Sequence, residues 1–103
     1  MRAVKVQYTV KSEYAETNAA NIRKVMADLQ QLKNDAIKYS TFILEDKKTF
    51  IHFAMVKNEF ANAVLNELES FKIFQNELKA SMPEVPPKLE TLSLVGSSYE
   101  IFE

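Results

Sequence analysis

A single histidine, His52, is the residue of this chain best suited to moving a proton near neutral pH. As a general base it suits abstraction from a phenol or hydroquinone. Lys5 and Gln7 are candidates for holding the resulting anion, since preorganised donors stabilise developing negative charge. Tyr39, Thr41, Phe50 and Thr91 complete the candidate substrate contacts, with Tyr39 placed to orient a phenolic ring. Each has a plainer reading: a histidine hydrogen-bonded across a sheet, a solvent-facing lysine, a tyrosine that fills space. A metal role is not expected, because His52 has no neighbouring His or Cys to share the ion. With one glycine, Gly96, the chain can build no phosphate loop, nucleophile elbow or dinucleotide fingerprint.

The background is that of an ordinary globular protein. In 103 residues, 47% are hydrophobic and 26% charged, enough for one core, and a single domain over 1–103 is expected. Thirteen Lys and Arg against fourteen Asp and Glu leave a net charge of −1, which argues against a dedicated nucleic-acid binder. No cysteine means no disulfide, zinc finger or thiolate nucleophile. Charge alternates with apolarity from Met1 to Val6, unlike a signal peptide, and apolar runs are too short for a membrane span. A cytoplasmic location is therefore expected.

Periodicity supplies the elements that would position these residues. Residues 3–10 alternate strictly, with Val4, Val6, Tyr8 and Val10 on one face, and read as a strand. Ser12 is placed to cap a helix carrying the stripe Ala15, Ala19, Ile22, Val25, Met26, Leu29 and Leu32. Ile37 to Leu44 and Thr49 to Val56 read as a hairpin across the charged turn 45–48. Asn58 caps a second helix, which Ser70 restarts toward Ser81. Pro83 to Pro87 is expected to run extended, with the last strand from Leu89 to Val95. The order β-α-β-β-α-β is the ferredoxin-like α+β pattern with an antiparallel sheet.

Two helices cover one sheet face. Choosing the more apolar set packs Val4, Val6, Tyr8, Val10, Phe42, Leu44, Ile51, Phe53, Met55, Leu92 and Leu94 beneath them. The other face then carries Lys5, Gln7, Thr9, Tyr39, Thr41, Phe50, His52, Ala54, Thr91 and Ser93, a mixture suited to a small-molecule site. A slip of one residue exchanges the two sets on the second strand. Tyr14, Met26, Phe60, Phe71 and Phe74 lie at helical spacings that fit either a core or a pocket lining.

The element order, the length and the segment Asn66-Glu67-Leu68-Glu69-Ser70-Phe71-Lys72-Ile73-Phe74-Gln75 resemble the antibiotic-biosynthesis-monooxygenase-like family of dimeric α/β barrels. The resemblance implies a homodimer of paired ferredoxin-like sheets, with a pocket for a small aromatic or hydrophobic molecule. It also implies oxidation of an aromatic or quinol by molecular oxygen with no cofactor, after a base such as His52 has formed the reactive anion. Two departures stand out. Asn66 and Ser70 occupy a helical stretch where family members commonly carry histidines, and the chain has no Trp. A non-catalytic dimer that binds a small hydrophobic metabolite is the alternative. An RNA-recognition domain shares the element order, but the Lys/Arg-Gly opening and first-strand ring of that fold are absent.

Overall fold

The computed structural model describes residues 1–102. Strand β1 (Arg2–Thr9) leads through a single turn of 3-10 helix (Ser12–Tyr14) into α1 (Ala15–Leu32). A hairpin of β2 (Ile37–Ile43) and β3 (Thr49–Val56) follows, then α2 (Glu59–Glu67), α3 (Glu69–Ala80) and β4 (Val85–Leu92). The strands form one antiparallel sheet in the order β2-β3-β1-β4, the ferredoxin-like arrangement.

Local chemistry explains most boundaries. Helix α1 ends where Lys33 turns left-handed at φ 50°, and Asn34 Oδ1 then accepts the Ala36 N–H at 2.9 Å to open β2. In the hairpin turn, Asp46 accepts the Thr49 hydroxyl and the N–H groups of Lys48 and Thr49. These bonds, the Thr49 hydroxyl foremost, hold the Asp46 carboxyl below the usual carboxylate range. Asn58 caps α2, its Oδ1 accepting the Ala61 N–H at 2.9 Å.

Three local expectations need correction. Ser12 begins a 3-10 turn and makes no side-chain cap. The break between the second and third helices falls at Leu68, which is extended at φ −63° and ψ 125°, so α3 begins before Ser70. The last strand lies earlier than expected, at Val85–Leu92, and contains Pro86 and Pro87. Prolines fit there because β4 is an edge strand and its register against β1 shifts between Gln7 and Thr9.

Register decides the faces. Val6 lies opposite His52, Tyr8 opposite Phe50 and Val4 opposite Ala54, so these residues share one face. On β2, Tyr39 and Thr41 oppose Ala54 and His52 and join the same side. That side packs under the helices: Tyr8, Val10, Ile22, Val25, Phe50, Leu65, Phe71, Phe74 and Leu78 form the buried core. The assignment expected for β1 holds, while those for β2, β3 and β4 are inverted, Thr91 pairing with Val4 on the helix side and Leu92 with Ala3 on the other. Phe42, at 59% exposure, Phe53 at 37%, and the half-buried Ile51 and Met55 face away from the helices. Choosing the more apolar face failed because Tyr8 and His52 bury their polar atoms in mutual hydrogen bonds, and Phe50 fills the core beside them. A satisfied polar group is compatible with burial.

Candidate functional site

Val4 and Val6 remain half-buried because α2 and α3 do not close down on this end of the sheet. The gap is a cavity of about 550 Å³, walled by residues of β1, β3 and β4 below and of α2 and α3 above. Its apolar walls include Val6, Leu65, Phe71, Phe74, Leu78 and Leu89. Tyr8, Tyr39 and His52 form its polar floor, and Asn62, Asn66 and Gln75 line it from the helices.

The floor is a connected hydrogen-bond chain. Asn18 Nδ2 donates to Tyr8 Oη at 2.9 Å, and Tyr8 Oη lies 2.7 Å from His52 Nε2. On the other side of the ring, His52 Nδ1 lies 2.8 Å from Tyr39 Oη and 2.9 Å from Thr41 Oγ1. The chain is satisfied when Tyr8 donates to Nε2 and the proton of a neutral imidazole sits on Nδ1. Nδ1–H then donates toward Tyr39 and Thr41. Rings brace the arrangement: Tyr8 stacks on His52 with centroids 5.3 Å apart, and Phe74 covers the imidazole at 5.4 Å. Asn18 Oδ1 is buried without a hydrogen-bond partner.

Burial sets the protonation states. His52 is 3% exposed, and desolvation lowers its pKa to about 4. Tyr8 and Tyr39 are both pushed well above the ordinary phenol value, again chiefly by desolvation, against which the Asn18 bond to Tyr8 works. At neutral pH the floor is therefore uncharged, with Tyr8 and Tyr39 as phenols and His52 as an imidazole.

Of the residues singled out from sequence, Tyr39 and Thr41 are brought directly to His52. Phe50 is 2% exposed and stacks on Tyr8 at 5.7 Å, within the core. Thr91 pairs with Val4 on the exposed edge strand and is not among the cavity-lining residues. The expectation that Lys5 and Gln7 share a face with His52 is corrected. Both alternate away from Val6 onto the opposite face, where Lys5 Nζ lies 3.9 Å from Glu90 Oε1. Phe71 and Phe74 serve as core and cavity wall at once, Tyr14 and Met26 pack at the edge of the core, and Phe60 is 79% exposed. Tyr8 and Asn18 were not recognised as site residues; once β1 and β3 are paired in register, Tyr8 falls diagonally beside His52. Asn18 carries no comparable signal beyond a polar residue on the buried stripe of α1.

Among the described residues, no group of three or more His, Cys, Asp or Glu side chains could hold a metal ion. None of their helices is long and apolar enough to cross a membrane.

No protein-family model and no curated protein matches the sequence. Solved structures do match. The chain is similar to a crystal structure of an antibiotic biosynthesis monooxygenase with a TM-score of 0.75 at 15% identity, covering 93% of this chain and 100% of that one. It is also similar to Rv0793 from Mycobacterium tuberculosis, with a TM-score of 0.77 at 10% identity over 95% and 98% of the two chains. A variant of SnoaB, a cofactor-independent oxygenase from Streptomyces nogalater, aligns with a TM-score of 0.70 at 10% identity over 96% and 97%. The resemblance read from the element order thus extends to three dimensions: the chain has the ferredoxin-like fold of the antibiotic biosynthesis monooxygenases.

Proposed function

We propose that the protein is a cofactor-independent, monooxygenase-like enzyme acting on a small aromatic or quinol bound between the sheet and helices α2 and α3. The observation that carries this reading is the Asn18–Tyr8–His52–Tyr39 chain, whose Tyr8, His52 and Tyr39 form the floor of a mainly apolar cavity. A substrate hydroxyl seated at Tyr8 Oη would pass its proton to Tyr8 as Tyr8 passes its own to His52 Nε2. His52 with a pKa near 4 is a weak base alone, but a substrate anion formed beside it favours the imidazolium. The carbanionic form of the ring then reduces oxygen, recombines to a hydroperoxide and loses water. The balance is R2CH2 + O2 → R2C=O + H2O, with all electrons drawn from the substrate. The likeness to the variant of SnoaB, a cofactor-independent oxygenase, supports the reaction class.

A homodimer is part of the proposal. The sheet face turned from the helices carries Phe42, Ile51, Phe53, Met55 and Leu92. Its Phe42 and Phe53 rings meet edge-on at 6.3 Å, and a second copy would cover them.

Oxygen uptake with a panel of hydroquinones and anthrone-type aromatics tests the reaction. Turnover is expected, with His52→Ala lowering kcat at least a hundredfold, the range over which a lost general base acts. Full activity in His52→Ala would remove His52 from the mechanism. A second reading has its own observation: both His52 nitrogens are already partnered within the protein. The site would then bind an aromatic metabolite without turning it over, and the expected result is tight binding with no oxygen uptake.

A further inference from the structure

The charges around the cavity are one-sided. Among the described residues lining it there is no Asp or Glu, while Arg2 and Lys79 both stand at its exposed rim. This is not spill-over from a basic protein, because the whole chain carries a net charge of −1. Nearby carboxylates are turned elsewhere. Glu77 accepts from Asn21 Nδ2 at 2.9 Å on the α1 side, and Glu84 binds Lys48 Nζ at 2.9 Å. Glu90 faces Lys5 on the opposite side of the sheet. Lys5–Glu90, Arg23–Glu16 and Lys48–Glu84 form ion pairs, and neither Arg2 nor Lys79 has an ion-pair partner among the described residues.

We infer that the cavity is selective for aromatic anions: a planar apolar body with one ionised carboxylate. The body lies against Val6, Phe71, Phe74 and Leu78, and the carboxylate stays at the wet rim in the field of Arg2 and Lys79. Keeping the charge at the rim avoids the desolvation that a carboxylate would meet on the uncharged floor. The rim cations also attract an anion during encounter, an effect that salt screens. The inference deepens the proposed function and rests on its reading of the cavity as an aromatic site.

Calorimetric titration with 2-naphthoate and with 2-naphthol, its uncharged counterpart at pH 7, separates the two claims. The expected result is naphthoate bound about five- to tenfold more tightly in dilute buffer, from two exposed charge contacts of modest strength. That gap should shrink in 0.5 M salt and disappear in the double variant Arg2→Gln/Lys79→Gln, with naphthol affinity unchanged. Equal affinities in the unaltered protein would overturn the anion preference while leaving the aromatic site intact. A gap that survives the double variant would overturn the assignment to Arg2 and Lys79. Binding of neither probe would overturn the aromatic site itself, and the anion selectivity with it.

Discussion

At the scale of the residue, His52 is held neutral by its surroundings, and this makes the fold sensitive to acid. Its folded pKa of about 4 lies below the ordinary 6.5, so between those values the unfolded chain binds a proton that the folded one refuses. Stability contributed by this group is present above pH 6.5, falls as pH drops toward 4, and then levels off. The difference between the two values corresponds to about 3 kcal/mol at full extent. Urea midpoints measured at pH 7, 5.5 and 4 should therefore fall more steeply for the native sequence than for His52→Gln, which cannot titrate. Parallel slopes would contradict the buried, neutral imidazole. The chemistry of His52 could be read from its residue type and strand. Its partners could not, because Tyr8 lies 44 positions away and Asn18 belongs to a helix, so only pairing β1 with β3 in register brings them together. The same dependence on register put His52, Tyr39, Thr41 and Phe50 on the wrong side, beside Lys5 and Gln7 and away from the helices: a period-two pattern says which residues share a face, and leaves open which face the helices cover.

At the scale of the element, local signals were most legible where one side chain does the work. Asn58 is such a case, its carboxamide satisfying a free N–H at the start of α2. Asn58→Ala should cost about 1 kcal/mol, read as a lower urea midpoint at constant m-value, and Asn58→Asp should recover most of it. No loss in the alanine variant would mean that the cap contributes nothing to stability. Strand β3 also stood out, as its β-branched and aromatic run coincides with Thr49–Val56. Strand β4 was harder to see because Pro86 and Pro87 argue against a strand on local grounds. Only its place at the sheet edge, with a register shift against β1, allows two residues without N–H groups there. Those prolines also line the cavity, so the irregular edge helps shape the site.

At the scale of the whole molecule, the two sheet faces divide the labour. One meets the helices and forms the core and cavity; the other leaves Phe42 and Phe53 exposed, in edge-on contact with each other. Light scattering after gel filtration should give about twice the 11.8 kDa of one chain. The double variant Phe42→Lys/Phe53→Lys should return it to a monomer, since paired lysines would face each other across a two-fold contact. A monomeric native protein would contradict sheet-to-sheet pairing and leave the cavity to function within a single chain. The element order made this architecture legible, whereas the cavity was not, because its space depends on how α2 and α3 seat over β1 and β4. On the proposed function, this cavity, with His52 on its floor, is where an aromatic ligand binds. Because the chain has one histidine, a nitrogen-resolved NMR experiment on its imidazole reports on this site alone. The expected result is a neutral ring at pH 7 with its proton on Nδ1, a titration midpoint near 4, and nitrogen shifts that move when 2-naphthol is added. A midpoint near the ordinary 6.5, or an imidazole signal that a bound aromatic leaves unmoved, would contradict it.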